Sequence, residues 1–92
     1  MTHEIKLSEQ YVQAVKDGEK TFEIRYNDRG YQKGDRIRFK VMENVPYASM
    51  DVSRRYRLPE YEITYVHSGL GMADNYVALA IKPTEGEGGG VN

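Results

Sequence analysis

Several polar side chains in the segment 18–25 could act together on a charged ligand. Lys20, Glu23 and Arg25 follow one another closely in the run Gly-Glu-Lys-Thr-Phe-Glu-Ile-Arg. In an extended strand, residues two apart share one face at a spacing of about 6.6 Å, so Thr21, Glu23 and Arg25 should lie side by side. A carboxylate flanked by an ammonium and a guanidinium favours the charged form of all three groups. The arginine fork suits a phosphate or a base edge, and the carboxylate can accept hydrogen bonds from a base amino group.

The same residue types have a plainer interpretation. Exposed ion pairs on a sheet surface are common and individually weak. From the segment alone, a cross-strand ion-pair network is the more common outcome. Ligand binding and a surface ion-pair network therefore both stay open at this point.

Basic residues are concentrated in a chain whose formal net charge is −1. Between positions 20 and 40, seven basic residues outnumber three acidic ones: Lys20, Arg25, Arg29, Lys33, Arg36, Arg38 and Lys40 against Glu23, Asp28 and Asp35. A second basic cluster alternates with tyrosines: Arg54, Arg55 and Arg57 with Tyr56, and with Tyr47 and Tyr61 nearby. Arginine can bind phosphate and tyrosine can stack on a base. A focused basic region can attract a polyanion, although solvated strand faces have the same composition.

Composition limits the classes of protein and of site. A chain of 92 residues is enough for one domain with a modest core. It has no cysteine, which excludes disulfides and cysteine nucleophiles and favours a cytoplasmic location. His3 and His67 show no ligand spacing, so we expect no metal and no other cofactor. No apolar run approaches the roughly 18 residues of a membrane span, so we expect no membrane partner.

Periodicity predicts the elements that must position these residues. Strands are expected at residues 3–7, 20–26, 35–41, 61–67 and 76–81, and one helix at about 9–17. Ser8 should cap the start of this helix, Gly18 should end it, and Asp35 should close a turn. Five strands around one helix indicate an α+β fold in which a mainly antiparallel sheet curls into a small barrel.

The remaining segments have weaker patterns. Tyr11 and Phe22 are expected in the core. Residues 43–59 break the periodicity and carry prolines, so we expect a long loop that is functional or mobile. Residues 83–92 are rich in Gly and Glu with almost nothing to bury, which predicts a disordered tail. Residues 1–82 then form the domain.

The spacing Gly18-x-Lys20-x-x-Glu23-x-Arg25 resembles the signature of activating signal cointegrator homology (ASCH) domains, members of the PUA-like superfamily. Together with the order of the flanking elements, the chain is similar to a bacterial and phage branch of unknown function over residues 3–82. The resemblance implies a PUA-like, mainly antiparallel β-barrel of five to six strands with one principal α-helix. It also implies that Lys20, Glu23 and Arg25 line a cleft between the helix and the motif strand.

Related domains are thought to bind RNA or a modified nucleoside in that cleft. We therefore expect a small intracellular binding module for RNA or a nucleotide-like ligand, more often a monomer than an oligomer. Lys20 and Arg25 would hold the anionic part of the ligand, and Glu23 would read a donor edge. The expected ligand contacts extend to four further arginines: Arg29, Arg54, Arg55 and Arg57.

Two other functions stay open. Some superfamily members are amidohydrolases acting on acylated cytidine, and a small hydrolase using Lys20 and Glu23 is one alternative. This chain departs from those enzymes, which have a Thr at the position of Glu23 and a long helical insertion before the last strand. The other alternative is a bacterial or phage protein-interaction domain that docks through the 43–59 loop.

Overall fold

The computed structural model describes residues 1–45 and 49–84. It contains five strands: β1 (Thr2–Ser8), β2 (Phe22–Tyr26), β3 (Arg36–Met42), β4 (Tyr61–His67) and β5 (Tyr76–Pro83). A 3-10 turn at Glu9–Tyr11 leads into the helix α1 (Val12–Lys16), and a second 3-10 turn covers Ser53–Arg55. The predicted strands are confirmed, with boundaries that differ by at most two residues; the predicted helix is confirmed in position, but its first turn, Glu9–Tyr11, is 3-10 and the α-helix begins at Val12.

The strands form one sheet in the order β1-β3-β4-β5-β2. β1 and β3 are parallel, and the other three pairings are antiparallel. β3 and β4 share only the pairs Arg36–Glu62 and Ile37–Tyr61 before they diverge, and β4 carries a register shift between Ile63 and Tyr65. Because such irregularities increase the local twist, the sheet curls strongly.

The curled sheet is a half-barrel, so the prediction of a closed barrel is wrong. β1 and β2 are the two edge strands, and no ladder joins them among the described residues. A guanidinium nitrogen of Arg25 instead donates to the Lys6 carbonyl, and one of Arg29 donates to the Glu4 carbonyl. Glu4 and Lys6 are two residues apart on β1, so their carbonyls point to the same side of the strand. Both arginines therefore bond to the same free edge of β1. Side chains therefore satisfy carbonyls that a neighbouring strand would otherwise pair.

The core lies on the concave side of the sheet and under α1. Alternate residues of β1 and β3 point inward, as the period of two requires. Val12 and Val15 of α1 complete the core from the helix side. The side chains that are almost completely buried are Ile5, Leu7, Ile37, Val41, Ile63 and Leu79.

The two residues that flank the helical segment, Ser8 and Gly18, differ in how they match the sequence prediction. Ser8 occupies the N-cap position with extended backbone, as predicted, but the predicted hydrogen bond from its hydroxyl is absent. Gly18 ends the helical segment with φ +76°, a conformation that glycine adopts without strain, as predicted. No helix in the described ranges has the length and apolar character needed to cross a membrane.

The described parts of the 43–59 loop and of the tail make specific contacts with the rest of the domain. Val52 is buried, and the Ser53 hydroxyl accepts a hydrogen bond from the Val41 amide at 2.8 Å. Pro83 ends β5, and the amide of the buried Thr84 donates to the Glu60 carbonyl. Pro83 and Thr84, which the sequence pattern assigns to the tail, therefore contact the rest of the domain. Residues 85–92 of the predicted tail, together with Tyr47 of the loop, lie outside the described residues.

Asp35 closes the turn before β3, as predicted. Its carboxylate accepts a hydrogen bond from the Gln32 amide at 3.1 Å and contacts the ring of the buried His3 at 2.8 Å. The His3 ring also packs edge-on against Tyr31. The hydrogen bond with His3 lowers the pKa of Asp35 below its ordinary value of 3.8.

We expect Asp35→Asn to lower the free energy of unfolding by about 1–3 kcal/mol near neutral pH, because a charge-assisted hydrogen bond is lost. A carboxyl with a depressed folded-state pKa contributes stability above its unfolded pKa and loses it as the pH falls through the folded value. The deficit of Asp35→Asn in urea unfolding should therefore shrink below pH 3.8. Asp74→Asn serves as the control. An equal deficit at neutral and acid pH would contradict this assignment.

The two arginines that span the edges of β1 and β2 predict a second stability effect. Arg29→Ala should lower the free energy of unfolding by about 1 kcal/mol, because the Glu4 carbonyl loses its donor. Amide exchange in β1 should become faster. Lys33→Ala, a change of an exposed cation on a nearby turn, is the matched control. If the amide exchange rates in β1 are the same in Arg29→Ala and the wild type, the bond from Arg29 to the Glu4 carbonyl does not stabilise this edge.

Candidate functional site

A cleft lies where the edges of β1 and β2 approach each other beside the 3-10 turn that precedes α1. Its volume is about 450 Å³. β1 and the turn form one wall, and β2 with the residues just before it forms the other. The lining residues are Lys6, Leu7, Ser8, Tyr11, Lys20, Phe22, Glu23, Ile24 and Arg25. The structure thus brings the predicted group of Lys20, Glu23 and Arg25 together around one concavity.

The connection from α1 to β2 positions the charged residues. After Gly18, the amides of Glu19 and Lys20 both donate to the Ala14 carbonyl, at 2.9 and 3.0 Å. The Ile81 amide then bonds to the Thr21 carbonyl, which attaches the chain to β5 before β2 begins. These backbone bonds hold Lys20 at the mouth of the cleft.

Glu23 is the electrostatic centre of the site. Its side chain is 6% exposed, and its two carboxylate oxygens contact different cations. Lys20 Nζ contacts one oxygen, and a guanidinium nitrogen of Arg25 lies 3.2 Å from the other. Burial of a carboxylate is tolerated when it is paired and hydrogen-bonded in this way. Two cations share one anion, so the group as a whole carries excess positive charge.

Two aromatic rings flank the Lys20 ammonium. Its nitrogen lies 5.5 Å from the ring centroid of Tyr11 and 5.0 Å from that of Phe22. Both distances fall within the range of cation–π attraction. Tyr11 and Phe22 are 44% and 46% exposed, so their predicted core placement is wrong. The alternation of side chains along β2 could have predicted the exposure of Phe22. If Glu23 faces inward, its neighbour Phe22 must face outward.

Two polar atoms in cleft residues are buried without a hydrogen-bond partner in the described part of the chain. They are the Ser8 hydroxyl oxygen and Arg25 Nε. Buried polar groups in native proteins are nearly always paired, and an unpaired one costs about 1–3 kcal/mol. Ser8 was predicted only as a helix cap, so its presence in the cleft was missed. Both atoms are shielded from solvent, so they add no accessible donor or acceptor to the cleft.

The other arginines predicted to bind ligand do not line the cleft. Arg29 is directed to the β1 edge and lies 3.9 Å from Asp28. Arg54, Arg55 and Arg57 are exposed in and just after the 3-10 turn at Ser53–Arg55, outside the cleft lining. Their roles in binding stay predictions.

Glu9 connects part of the second basic cluster to the turn that carries Tyr11. Its carboxylate lies 3.3 Å from Arg55 and accepts a hydrogen bond from the Tyr56 hydroxyl. This hydrogen bond raises the pKa of Tyr56 above its usual value. Arg55 is also 3.9 Å from Glu43. The contacts of Arg55 thus hold the 53–55 turn against the helical segment.

A smaller cavity of about 320 Å³ lies at the opposite end of β2, beside Asn27, Asp74 and Tyr76. The histidines are occupied elsewhere: His3 contacts Asp35, and the His67 ring is 2.8 Å from the Leu70 carbonyl. Within residues 1–45 and 49–84, no three His, Asp or Glu side chains converge as metal ligands would. The geometry therefore leaves the charged cleft as the candidate site.

Comparison with known proteins adds a family but no activity. The family described as domain of unknown function DUF3850 matches residues 2–81. The chain belongs to this family. The DUF3850 match covers β1 to β4 and most of β5, and it includes every residue that lines the cleft. No curated protein matches the chain.

We expect Glu23→Gln to lower the free energy of unfolding by about 1–3 kcal/mol, because Lys20 and Arg25 lose the anion that both contact. Added salt should reduce the deficit, since it screens the repulsion between the two cations. Urea unfolding at low and high salt measures both effects. Glu19→Gln, a change of an exposed carboxylate in the same segment, is the control. If Glu23→Gln matches the wild type at low salt, the central role of Glu23 is wrong.

Proposed function

We propose that this DUF3850 protein is a binding module for RNA or a nucleotide-like ligand, which it holds in the cleft between β1 and β2. One observation carries the proposal: a concavity of about 450 Å³ combines two cations, a buried carboxylate and two half-exposed aromatic rings. Phosphate, base edge and base face are the three features of a nucleotide that these groups can recognise.

The cations are suited to the phosphate. Lys20 is at the cleft mouth, where its ammonium also donates to the Phe22 carbonyl at 2.8 Å. Arg25 uses one terminal nitrogen for both Glu23 and the Lys6 carbonyl. An arginine has five N–H donors, so further donors remain for an anionic ligand.

The rings and the carboxylate are suited to the base. Phe22 and Tyr11 each expose nearly half of their surface, and every base has a face that can stack on such a ring. Glu23 accepts one contact at each oxygen, and a carboxylate oxygen has two lone pairs. It can therefore still accept a hydrogen bond from a base amino group.

The relationship to ASCH domains and to the PUA-like superfamily is part of the same proposal. Three features support it: the helical segment directly before the motif strand, the cleft position of Lys20, Glu23 and Arg25, and the strongly curled five-stranded sheet. A cytoplasmic location, consistent with a chain that lacks cysteine, belongs to the proposal as well.

Nucleotide binding is tested by titrating the protein with short single-stranded RNAs and with nucleoside monophosphates, followed by chemical-shift mapping. Shifts should concentrate on β2 and the turn at Glu9–Tyr11. Affinity should fall as salt rises, because phosphate contacts release counterions. Lys20→Ala should weaken binding by about 10-fold, the loss expected for one charge-assisted hydrogen bond. Lys33→Ala, outside the cleft, should bind as the wild type does.

Two results would contradict the proposal. One is the absence of binding at low salt to both RNA and mononucleotides. The other is binding that Lys20→Ala and Arg25→Ala leave unchanged. Incubation with acylated cytidines provides a separate readout: deacylation that is lost in Lys20→Ala would identify a hydrolase rather than a binding module.

A further inference from the structure

The outer face of β2, β5 and β4 exposes an unusual set of large side chains. On β5 the inward residues Val77, Leu79 and Ile81 are buried, so the residues between them face outward. Across the three strands, five large side chains on this face are at least 40% exposed: Phe22, Ile24, Tyr26, Tyr65 and Tyr76. Contiguous apolar surface of this kind marks an interaction site more often than an ordinary monomer surface.

The strand register arranges these side chains as a groove. Phe22 of β2 and Tyr65 of β4 both pair with Ala80 of β5, and they stand on opposite sides of it. Ala78 has the same position between Ile24 and His67. Neighbouring strands are about 4.8 Å apart, so the two walls are roughly 10 Å apart over a floor of alanines.

One end of the groove is closed by aromatic side chains. Tyr26 pairs with Tyr76, and their rings meet edge to face with centroids 5.4 Å apart. Phe22 and Tyr26 are four residues apart on β2, about 13 Å along the strand. The aromatic groove, formed by the outer faces of β2, β5 and β4, is therefore long enough for more than one planar ring.

The aromatic groove is continuous with the cleft. Phe22 and Ile24 form one wall of the groove and also line the cleft, so β2 is the boundary between the two. The bond from the Ile81 amide to the Thr21 carbonyl extends the β2–β5 register and brings Lys20 level with Lys82. Two lysines thus lie at the end nearest the cleft, with Glu62 as the cross-strand neighbour of Lys82.

We propose that the ligand is a single-stranded RNA segment that occupies both sites, with one nucleotide in the cleft and the following bases stacked in the aromatic groove. This inference rests on the proposed function and extends it from a nucleotide to a strand. Continuity with a cationic cleft favours RNA over an apolar partner, because a strand leaving the cleft carries phosphates past Lys20 and Lys82. Stacking on exposed rings of a sheet tolerates many sequences, so the groove adds affinity rather than base selectivity.

The test compares fluorescein-labelled RNAs of about two and about eight nucleotides by anisotropy at low salt. The wild type should bind the longer RNA at least about 10-fold more tightly. Tyr65→Ala should lower the affinity for the longer RNA by about 5-fold or more, because a stacking ring is lost. It should leave the affinity for the shorter RNA unchanged, because Tyr65 lies on β4 outside the cleft lining. Met50→Ala, which truncates an exposed apolar residue elsewhere, is the matched control. In the unmodified protein, the longer RNA should also shift the ring resonances of Tyr65 and Tyr26.

The outcomes separate the two proposals. If the shorter RNA binds and depends on Lys20, but the longer one is no tighter and Tyr65→Ala has no effect, the groove proposal is overturned and the cleft proposal stands. If neither RNA binds, the groove proposal is overturned, and the cleft proposal is overturned as well if nucleoside monophosphates also fail to bind. A self-associated protein in sedimentation, dissociated by Tyr65→Ala, would show instead that the groove packs against a second copy.

Discussion

The guanidinium of Arg25 connects the two free edges of the sheet. It donates to the Lys6 carbonyl on β1 and to Glu23 on its own strand, and Arg29 makes a similar bond to Glu4. A backbone ladder between β1 and β2 would leave no space at this point. Because side chains span the gap instead, the half-barrel keeps a cleft between its edges, and charged groups line that cleft. The cleft therefore exists because arginine side chains, rather than a neighbouring strand, bond to the free carbonyls of β1.

The orientation of β2 follows from the same contacts. With Glu23 and Arg25 directed to the cleft, the alternation of the strand forces Phe22, Ile24 and Tyr26 outward. β5 then supplies small alanines between larger neighbours on the outer face. One strand therefore contributes charges to the cleft and aromatic rings to the outer face, and Phe22 borders both. The orientation of β2 therefore determines the composition of both the cleft and the aromatic groove.

Sequence periodicity predicted the elements well because each strand alternates clearly and the helical segment is bounded by a glycine. The local polar group was also recognisable, since a period of two places Glu23 and Arg25 on one strand face and Lys20 lies just before that strand. Two kinds of prediction failed. The apolar helical stripe and the alternation of β2 predict Tyr11 and Phe22 in the core, and the five strands predict a closed barrel. Both predictions depend on how the edges of β1 and β2 approach each other. Neighbouring residues in the sequence carry no information about that approach.

By itself, the sequence determined the strand and helix positions, the turn at Asp35 and the grouping of charges on β2, because these follow from local backbone preferences and a period of two. Only the tertiary structure decided which face of β2 is buried. That choice required Arg25 and Arg29 to find carbonyls on β1, nineteen and twenty-five residues away in the chain. Arg25 shows the physical reason: it pairs with the nearby Glu23 and also with the distant Lys6 carbonyl, and such pairing can outweigh the hydrophobic rank of a residue.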